Sequence, residues 1–332
     1  MLTNSLRRAA AAVVVLGVVV IAWFGLQYFP VGASGKSVLV TVHSGDSMSA
    51  IASELHQAGV LASPFAFRVD SFVEGAPQVR PGVYEFAQGA NYATLRSILS
   101  GGPNVPQVDV NAGLTLKEVV IDLANQVGNT FASSFLADAT QAAAVSPYRP
   151  QGIIEGLIGP GLYLITPGET PGHLLALMQE SFDREAASAG LTPSTTVEGL
   201  SAYQVLTAAS IVQKEGYYTL NMPDTARVIY NRLARNMPLQ MDSTVLYALG
   251  MDGGTVTHAM LQTPTPYNTY LNRGLTPTPI CVVSPQALAA VLSPPPGPWL
   301  YFVLVNKDGH MAFSTTFAQQ LANEAVAAKA GL

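Results

Sequence analysis

The chain has 332 residues, 49% of them apolar and 11% charged, with a formal net charge of −5. That is enough for two domains with ample core, which excludes wholesale disorder; with no large basic block, nucleic acid is excluded as the main partner. One cysteine, Cys281, excludes an intrachain disulfide framework and any multi-cysteine metal site, and scattered histidines with no HExxH pair give no zinc signature, so neither metal nor cofactor is expected.

The amino terminus comes first. Ala9 to Leu26 is an uncharged run of 18 residues, about 27 Å of helix at 1.5 Å per residue, close to the hydrocarbon thickness of a bilayer. It predicts one transmembrane helix. Arg7 and Arg8 before it place the short tail in the cytoplasm, and Trp23, Tyr28 and Phe29 suit the outer interface. The expected location is the plasma (inner) membrane, single-pass, with the remaining residues outside the cytoplasm. The alternative is a cleaved signal peptide with Val31-Gly32-Ala33 as its site. Residues 1–35 are thus expected to be tail, anchor and linker.

Two later segments look alike. Val40 to Leu55 aligns with Val108 to Leu123 at a constant offset of 68 residues. Each reads as an alternating strand, a Gly turn (Gly45, Gly113), then a helix. Its apolar residues recur at i, i+3, i+4 and i+7: Met48, Ile51, Ala52 and Leu55, then Leu116, Val119, Val120 and Leu123. The first copy continues through Phe65-Ala-Phe-Arg68 and Arg80 to Phe86 into a helix over 92–99. A strand, two helices and a returning strand make a β-α-α-β module over 36–104, which resembles the LysM-like module of peptidoglycan-binding proteins. Gly101-Gly-Pro103 marks its end, and a larger domain fills 105–332.

In that larger domain the periodicity predicts helices at 115–125, 131–143, 171–188, 198–215, 222–235, 285–292 and 316–329. Capping boxes are read at Asn221 to Asp224 and Thr316 to Gln319, and Ser284-Pro285 opens a helix in cap-then-Pro order. Leu300 to Val305 reads as a buried strand. Asn306-Lys-Asp-Gly309 is hairpin turn chemistry, with His310 to Phe313 returning. Strands and helices mix irregularly, so the class is α+β.

Glu215 carries the most information. It ends an apolar helix and is followed by Gly216. At 100° per residue it lies about 20° from Ala208, 40° from Ile211 and 60° from Val212. Its carboxylate is therefore aimed at the buried face, near the negative end of the helix. Desolvation and dipole both raise the pKa, which suits a general acid. The alternative is a helix-end Glu paired with Arg227 or Arg232. Three polar clusters follow. Gln240, Asp242 and Thr244 alternate, so as a strand they share one face. Thr265 to Tyr270 packs amide, hydroxyl and aromatic groups together, including Asn268 and Tyr270. Gly309 and His310 precede Phe313 and Ser314. Amides and hydroxyls beside aromatic faces suit sugar binding, whereas each cluster alone reads more readily as turn-stabilising.

Taken in order, Ala208-Ala-Ser-Ile-Val-Gln-Lys-Glu215, Arg227 to Leu233, Leu239 to Val245, Tyr267-Asn-Thr-Tyr270 with Gly274-Leu275, and Tyr301 to Val303 with Gly309-His310 and Phe313-Ser314 resemble the endolytic murein transglycosylases, the YceG-like family. The match in order and spacing covers about residues 150–318. The resemblance implies cleavage within glycan strands of peptidoglycan, between N-acetylmuramic acid and N-acetylglucosamine, by one catalytic Glu. That residue maps to Glu215; Gln240, Asp242, Thr244, Asn268, Tyr270, His310 and Ser314 are the expected substrate contacts. Peptidoglycan synthases are expected partners. The chain departs from the family pattern at several places. Gln213 stands where Glu is usual, Ser243 replaces Pro in Asp-Pro-Thr, and Ile158 to Tyr163 lacks the Asp and Thr of Phe-Pro-Asp-Thr-Tyr. Val282-Val283 replaces Asn-Pro and Gln319-Gln320 a late Glu-His pair. Two other readings remain: a hydrolytic muramidase using Asp242 as second carboxylate, and a non-catalytic glycan-binding scaffold.

Overall fold

At Gly45 and again at Gly113 the apolar period switches from two to about 3.6, and the backbone switches from strand to helix with it. The computed structural model describes residues 4–28, 35–141, 146–149, 152–216 and 218–332. The chain divides into two compact units, Met1–Pro106 and Gln107–Leu332.

Helix α1 runs Asn4–Tyr28. Among the described residues no helix is long and apolar enough to cross a membrane. The expected transmembrane helix, and the single-pass plasma-membrane location drawn from it, are therefore corrected. Phe29 and the cleavage candidate Val31-Gly32-Ala33 lie outside the described residues, as does most of the linker. The α+β class itself fits.

The first unit continues with β1 (Ser37–Val42), α2 (Met48–Gln57), α3 (Pro64–Glu74), β2 (Gly82–Ala87) and α4 (Tyr92–Gly101). Ser47, Ser63 and Asn91 cap the three helices through their side-chain oxygens, satisfying donors the first turn leaves open. Strands β1 and β2 pair antiparallel with Val42 opposite Gly82. Val40, Ile51, Leu55, Phe67, Tyr84 and Leu95 form its core.

The second unit opens with the same construction: β3 (Gln107–Val110), α5 (Leu116–Val127), α6 (Asn129–Thr140) and β4 (Gly161–Leu164). The repeat goes further than one strand and one helix. Val110 pairs with Gly161 as Val42 pairs with Gly82, and both glycines have positive φ. Phe67 and Phe135, again 68 apart, are both fully buried. Tyr84 and Tyr163 sit two residues beyond those glycines, and each donates its hydroxyl at 2.7 Å to the carbonyl four residues earlier, Arg80 O and Gly159 O. The two copies thus share register, core and a tyrosine brace.

Beyond β4 the chain forms α7 (Pro171–Ala189), a short hairpin of β5 (Thr196–Val197) and β6 (Leu200–Ser201), and α8 (Ala202–Glu215). A 3-10 turn, Thr219–Asn221, leads into α9 (Met222–Ala234), then α10 (Asp242–Ala248), α11 (His258–Leu261) and α12 (Pro285–Leu292). A last hairpin, β7 (Tyr301–Leu304) and β8 (Met311–Ser314), precedes α13 (Phe317–Lys329). Helix α8 is apolar almost all round: Val205 to Val212 are buried without interruption, and it packs on α9 and α12. A helix so enclosed is a rigid mount for whatever stands at its end.

Three local readings are corrected. Asn221 makes no side-chain cap on α9. It ends the 3-10 turn in a helical conformation, and its amide donates to Gly309 O at 2.7 Å. Residues 239–247 are not a strand with Gln240, Asp242 and Thr244 on one face. Gln240 adopts a left-handed φ of 52°, which turns the chain, and α10 begins two residues later. The last strand pair is half-buried rather than fully buried.

Candidate functional site

A capping box between Ser201 and Gln204 opens α8, and Glu215 is its last residue. Gly216 follows with φ −78° and ψ 70°, so no left-handed cap ends the helix. Its reason for being Gly is space: a Cβ there would stand 2.6 Å from Met222 Cγ and 2.9 Å from Val212 O. The close approach of α9 to the end of α8 therefore needs Gly at that position.

Helix α10 supplies the other half of the site. Thr269 grips its start, accepting from Met241 N at 3.0 Å and lying 2.9 Å from Thr244 Oγ1. Ser243 in its first turn meets the acid. Glu215 Oε1 accepts from Ser243 Oγ at 2.6 Å and from Ser243 N at 3.2 Å. Neither Arg227 nor Arg232 takes the role that a helix-end ion pair would give it. Arg227 binds Glu198 at 2.9 Å. Arg232 donates to the carbonyls of Leu300 at 2.6 Å and Leu239 at 2.5 Å, and lies 5.3 Å from the Tyr301 ring centre.

Glu215 reaches a cavity of about 390 Å3. Its wall also includes Arg232, Gln240, Asp242, Tyr270 and Tyr301. Tyr270 donates its hydroxyl to Asp242 Oδ1 at 2.5 Å. The Glu215 side chain keeps partial access to the cavity, yet protein crowds it elsewhere. Desolvation is the main cause raising its carboxyl pKa; the negative Asp242 adds to it, and the Ser243 donors and the Arg232 charge pull the other way. Burial likewise raises Tyr270, aided by its bond to Asp242, and lowers Arg232.

Of the expected contacts, Gln240, Asp242 and Tyr270 share this wall with Glu215. The other four do not line it. Thr244 is fully buried and donates to Met241 O at 2.7 Å. Asn268 is fully buried too: its amide donates to Leu261 O and Thr263 O, and its oxygen accepts from Tyr270 N, all at 2.9 Å. Ser314 is buried and donates to Gln320. His310 is exposed beside the hairpin turn, its backbone bonded to Asn306. Turn and packing chemistry claims these side chains, as it does for most buried Asn, Thr and Ser.

The cavity also holds residues that the sequence did not single out as contacts: Ser243 beside it, and Phe302, Phe317, Gln320 and Glu324 on its wall. Gln320 donates to Phe302 O at 3.0 Å and to Glu324 at 3.1 Å, so this departure from Glu-His tethers α13 to the last hairpin. Gln213, the departure inside the α8 motif, accepts from Ser284 N at the start of α12. A second acid, Glu155, is also buried. Glu155 sits in a Gly-rich loop with no periodic signal, and burial pushes its carboxyl up to about 7. It lines a separate cavity of about 490 Å3 near the far end of α10.

Among the described residues, one group brings three possible metal donors within 4.8 Å, namely His43, Asp46 and Glu54 in the first unit. His43 already donates its backbone N–H to Asp46 at 2.7 Å, an ordinary turn contact.

Comparison with known proteins matches residues 40–326 to the YceG-like family. The chain is 29% identical over 310 residues to an endolytic murein transglycosylase of Bacillus subtilis (strain 168), covering 86% of this chain and 83% of that protein. It is 27% identical over 330 residues to an endolytic murein transglycosylase of Streptococcus pneumoniae (strain D39), covering 88% of this chain but 60% of the longer relative. A crystal structure of a YceG-like protein from Listeria monocytogenes superposes with a TM-score of 0.60 at 24% identity, over 87% of this chain and 99% of that one. At that identity the likeness is one of fold.

Proposed function

This chain belongs to the YceG-like family, and on that premise we propose that it is an endolytic murein transglycosylase with Glu215 as its acid. The names of its relatives support the activity. The observation that carries the residue assignment is a carboxyl group with raised proton affinity, held by Ser243, at the wall of a cavity that also presents Arg232, Asp242 and Tyr270.

The chemistry needs one carboxyl group. Protonated Glu215 gives its proton to the glycosidic oxygen, the C1–O bond breaks, and an oxocarbenium-like state forms. The leaving sugar departs with that proton. The carboxylate then takes the proton of the 6-hydroxyl of the same muramyl residue, whose oxygen closes on C1 to give a 1,6-anhydro ring. No water is consumed, so no second carboxylate is needed to activate one. Asp242 beside the acid disfavours the Glu215 anion before bond breaking and favours the positive sugar during it. The exposed Gln240 supplies an amide toward the substrate, and the Tyr301 and Phe302 side chains supply apolar surface for sugar rings. The domain division at 36–104 and 105–332 follows the same reading. The first unit, with its β-α-α-β order, serves as a LysM-like glycan-holding module, and synthases that feed nascent strands are the fitting partners.

Mass spectrometry of muropeptides released from sacculi tests this. Wild type yields 1,6-anhydro products, lighter by one water than hydrolytic ones, and Glu215→Gln yields none. Reducing ends from wild type would instead identify a muramidase using Asp242, and no release at all would identify a glycan-binding scaffold.

A further inference from the structure

Glu155 takes no part in the chemistry above, yet it is 4% exposed and bonded on both oxygens. Oε1 accepts from Leu116 N, at the start of α5, at 2.9 Å. Oε2 accepts from the hydroxyl of Tyr247 at 3.1 Å. Tyr247 lies four residues after Ser243 on α10, about one helical turn, and its ring packs against Tyr267 at 5.0 Å. The backbone beside Glu155 is fixed: Gly156 has φ +74°, and a Cβ there would meet Pro279 and, at 3.2 Å, Cys281 O. Helix α10 has seven residues, too few to hold a shape unaided. Thr269 pins its first turn, and the Glu155–Tyr247 bond ties down its last.

We propose that Glu155 is a positioning residue for Glu215: through Tyr247 it fixes α10, so that the first turn of that helix keeps Ser243 on the Glu215 carboxylate. The inference rests on Glu215 being the acid. Glu155 reaches the larger cavity and so exchanges protons with solvent. Burial raises its carboxyl to about 7, Glu118 adds to the rise, and Leu116 N, Tyr247 and Lys214 oppose it. The groups facing it are Glu118 from α5, Tyr203 and Lys214 from α8, Tyr247 from α10 and Cys281 before α12. As a carboxylate it accepts the Tyr247 hydroxyl in a charge-assisted bond; protonation weakens that tie.

The test is kcat and KM for anhydro-muropeptide release from pH 5 to 9, for wild type, Glu155→Gln, Tyr247→Phe and the double variant. Wild-type kcat is expected to rise through about pH 7 as Glu155 ionises. Each single variant loses that rise and lowers kcat about three- to tenfold, with KM held to within about twofold. The double variant is no worse than the poorer single, because both act along one path. Wild-type kcat and pH profile in the single variants, losses that multiply, or a change in KM alone would overturn the proposal. If Glu155→Gln does not fold, Tyr247→Phe decides by the same criteria. Absence of anhydro product from wild type sinks the reading of Glu215 itself, whereas normal product with indifferent variants sinks the positioning role alone.

Discussion

Replacing Ser243 by Ala should raise the pH up to which the enzyme works. Glu215 Oε1 accepts two donors from Ser243, the hydroxyl at 2.6 Å and the backbone N–H at 3.2 Å, and both favour the anion. Ala removes the shorter bond and leaves the longer. A hydrogen bond to a charged group contributes about 1.5–3 kcal/mol, which at 1.36 kcal/mol per pH unit is about 1–2 units of proton affinity. Glu215 opens onto the cavity, so water can replace part of the lost donor, and about one unit is the working figure. The sign follows from the role. A general acid must be protonated, so activity falls as pH rises through its pKa, and a stronger hold on the proton moves that alkaline limb upward. Initial rates of anhydro-muropeptide release, taken as kcat/KM from pH 5 to 9, report the limb for the free enzyme. Ser243→Pro, the family's usual residue, removes both donors and should move the limb further than Ala does. An alkaline limb that stays in place or moves down in Ser243→Ala would refute the assignment of Glu215 as the titrating acid under Ser243 control.

Gln240 bears a left-handed φ of 52°, a conformation that costs a non-Gly residue about 1–2 kcal/mol. Gln240→Gly should raise stability in urea unfolding by up to about that much while lowering kcat/KM, since the amide on the cavity wall is lost. Glu155 offers a stability test independent of turnover. Its carboxyl rises from 4.5 to about 7 on folding, so the folded state holds the proton more tightly than the unfolded one. The stability this contributes is complete below pH 4.5 and disappears as pH rises through 7, a change of about 3 kcal/mol. Unfolding free energies of wild type relative to Glu155→Gln should therefore fall by that order between pH 4 and pH 8, and a flat difference would contradict the buried ionisation.

Several features were readable because they depend on neighbours in sequence. The strand–Gly–helix repeat was visible in the spacing of Val40, Gly45, Ile51 and Leu55 against their counterparts 68 residues on. The Tyr84 and Tyr163 braces that complete it depend on register across a hairpin, and no local pattern announces register. The helix carrying Glu215 was legible from its apolar period, and so was the direction of its carboxylate. Helix α10 was misread because Gln-x-Asp-x-Thr alternates like a strand. The left-handed Gln240, held by Gln240 N to Thr269 O at 3.0 Å, overrides that pattern from a segment about 29 residues away in the chain. Asn268 and Ser314 carried the right chemistry for sugar contacts, but packing spends it on backbone and Gln320.

The order of the motifs and the aim of one acid toward its helix's apolar face were properties of the sequence, because helix geometry converts spacing into direction without reference to anything else. Which groups surround that acid was a tertiary outcome. Asp242 and Ser243 come from α10, Arg232 from α9 and Tyr270 from the segment between α11 and α12, and only tertiary packing brings them to the end of α8. Proton affinity follows the same division: the residue type sets its starting value, and the dielectric and donors assembled by the fold decide where it ends.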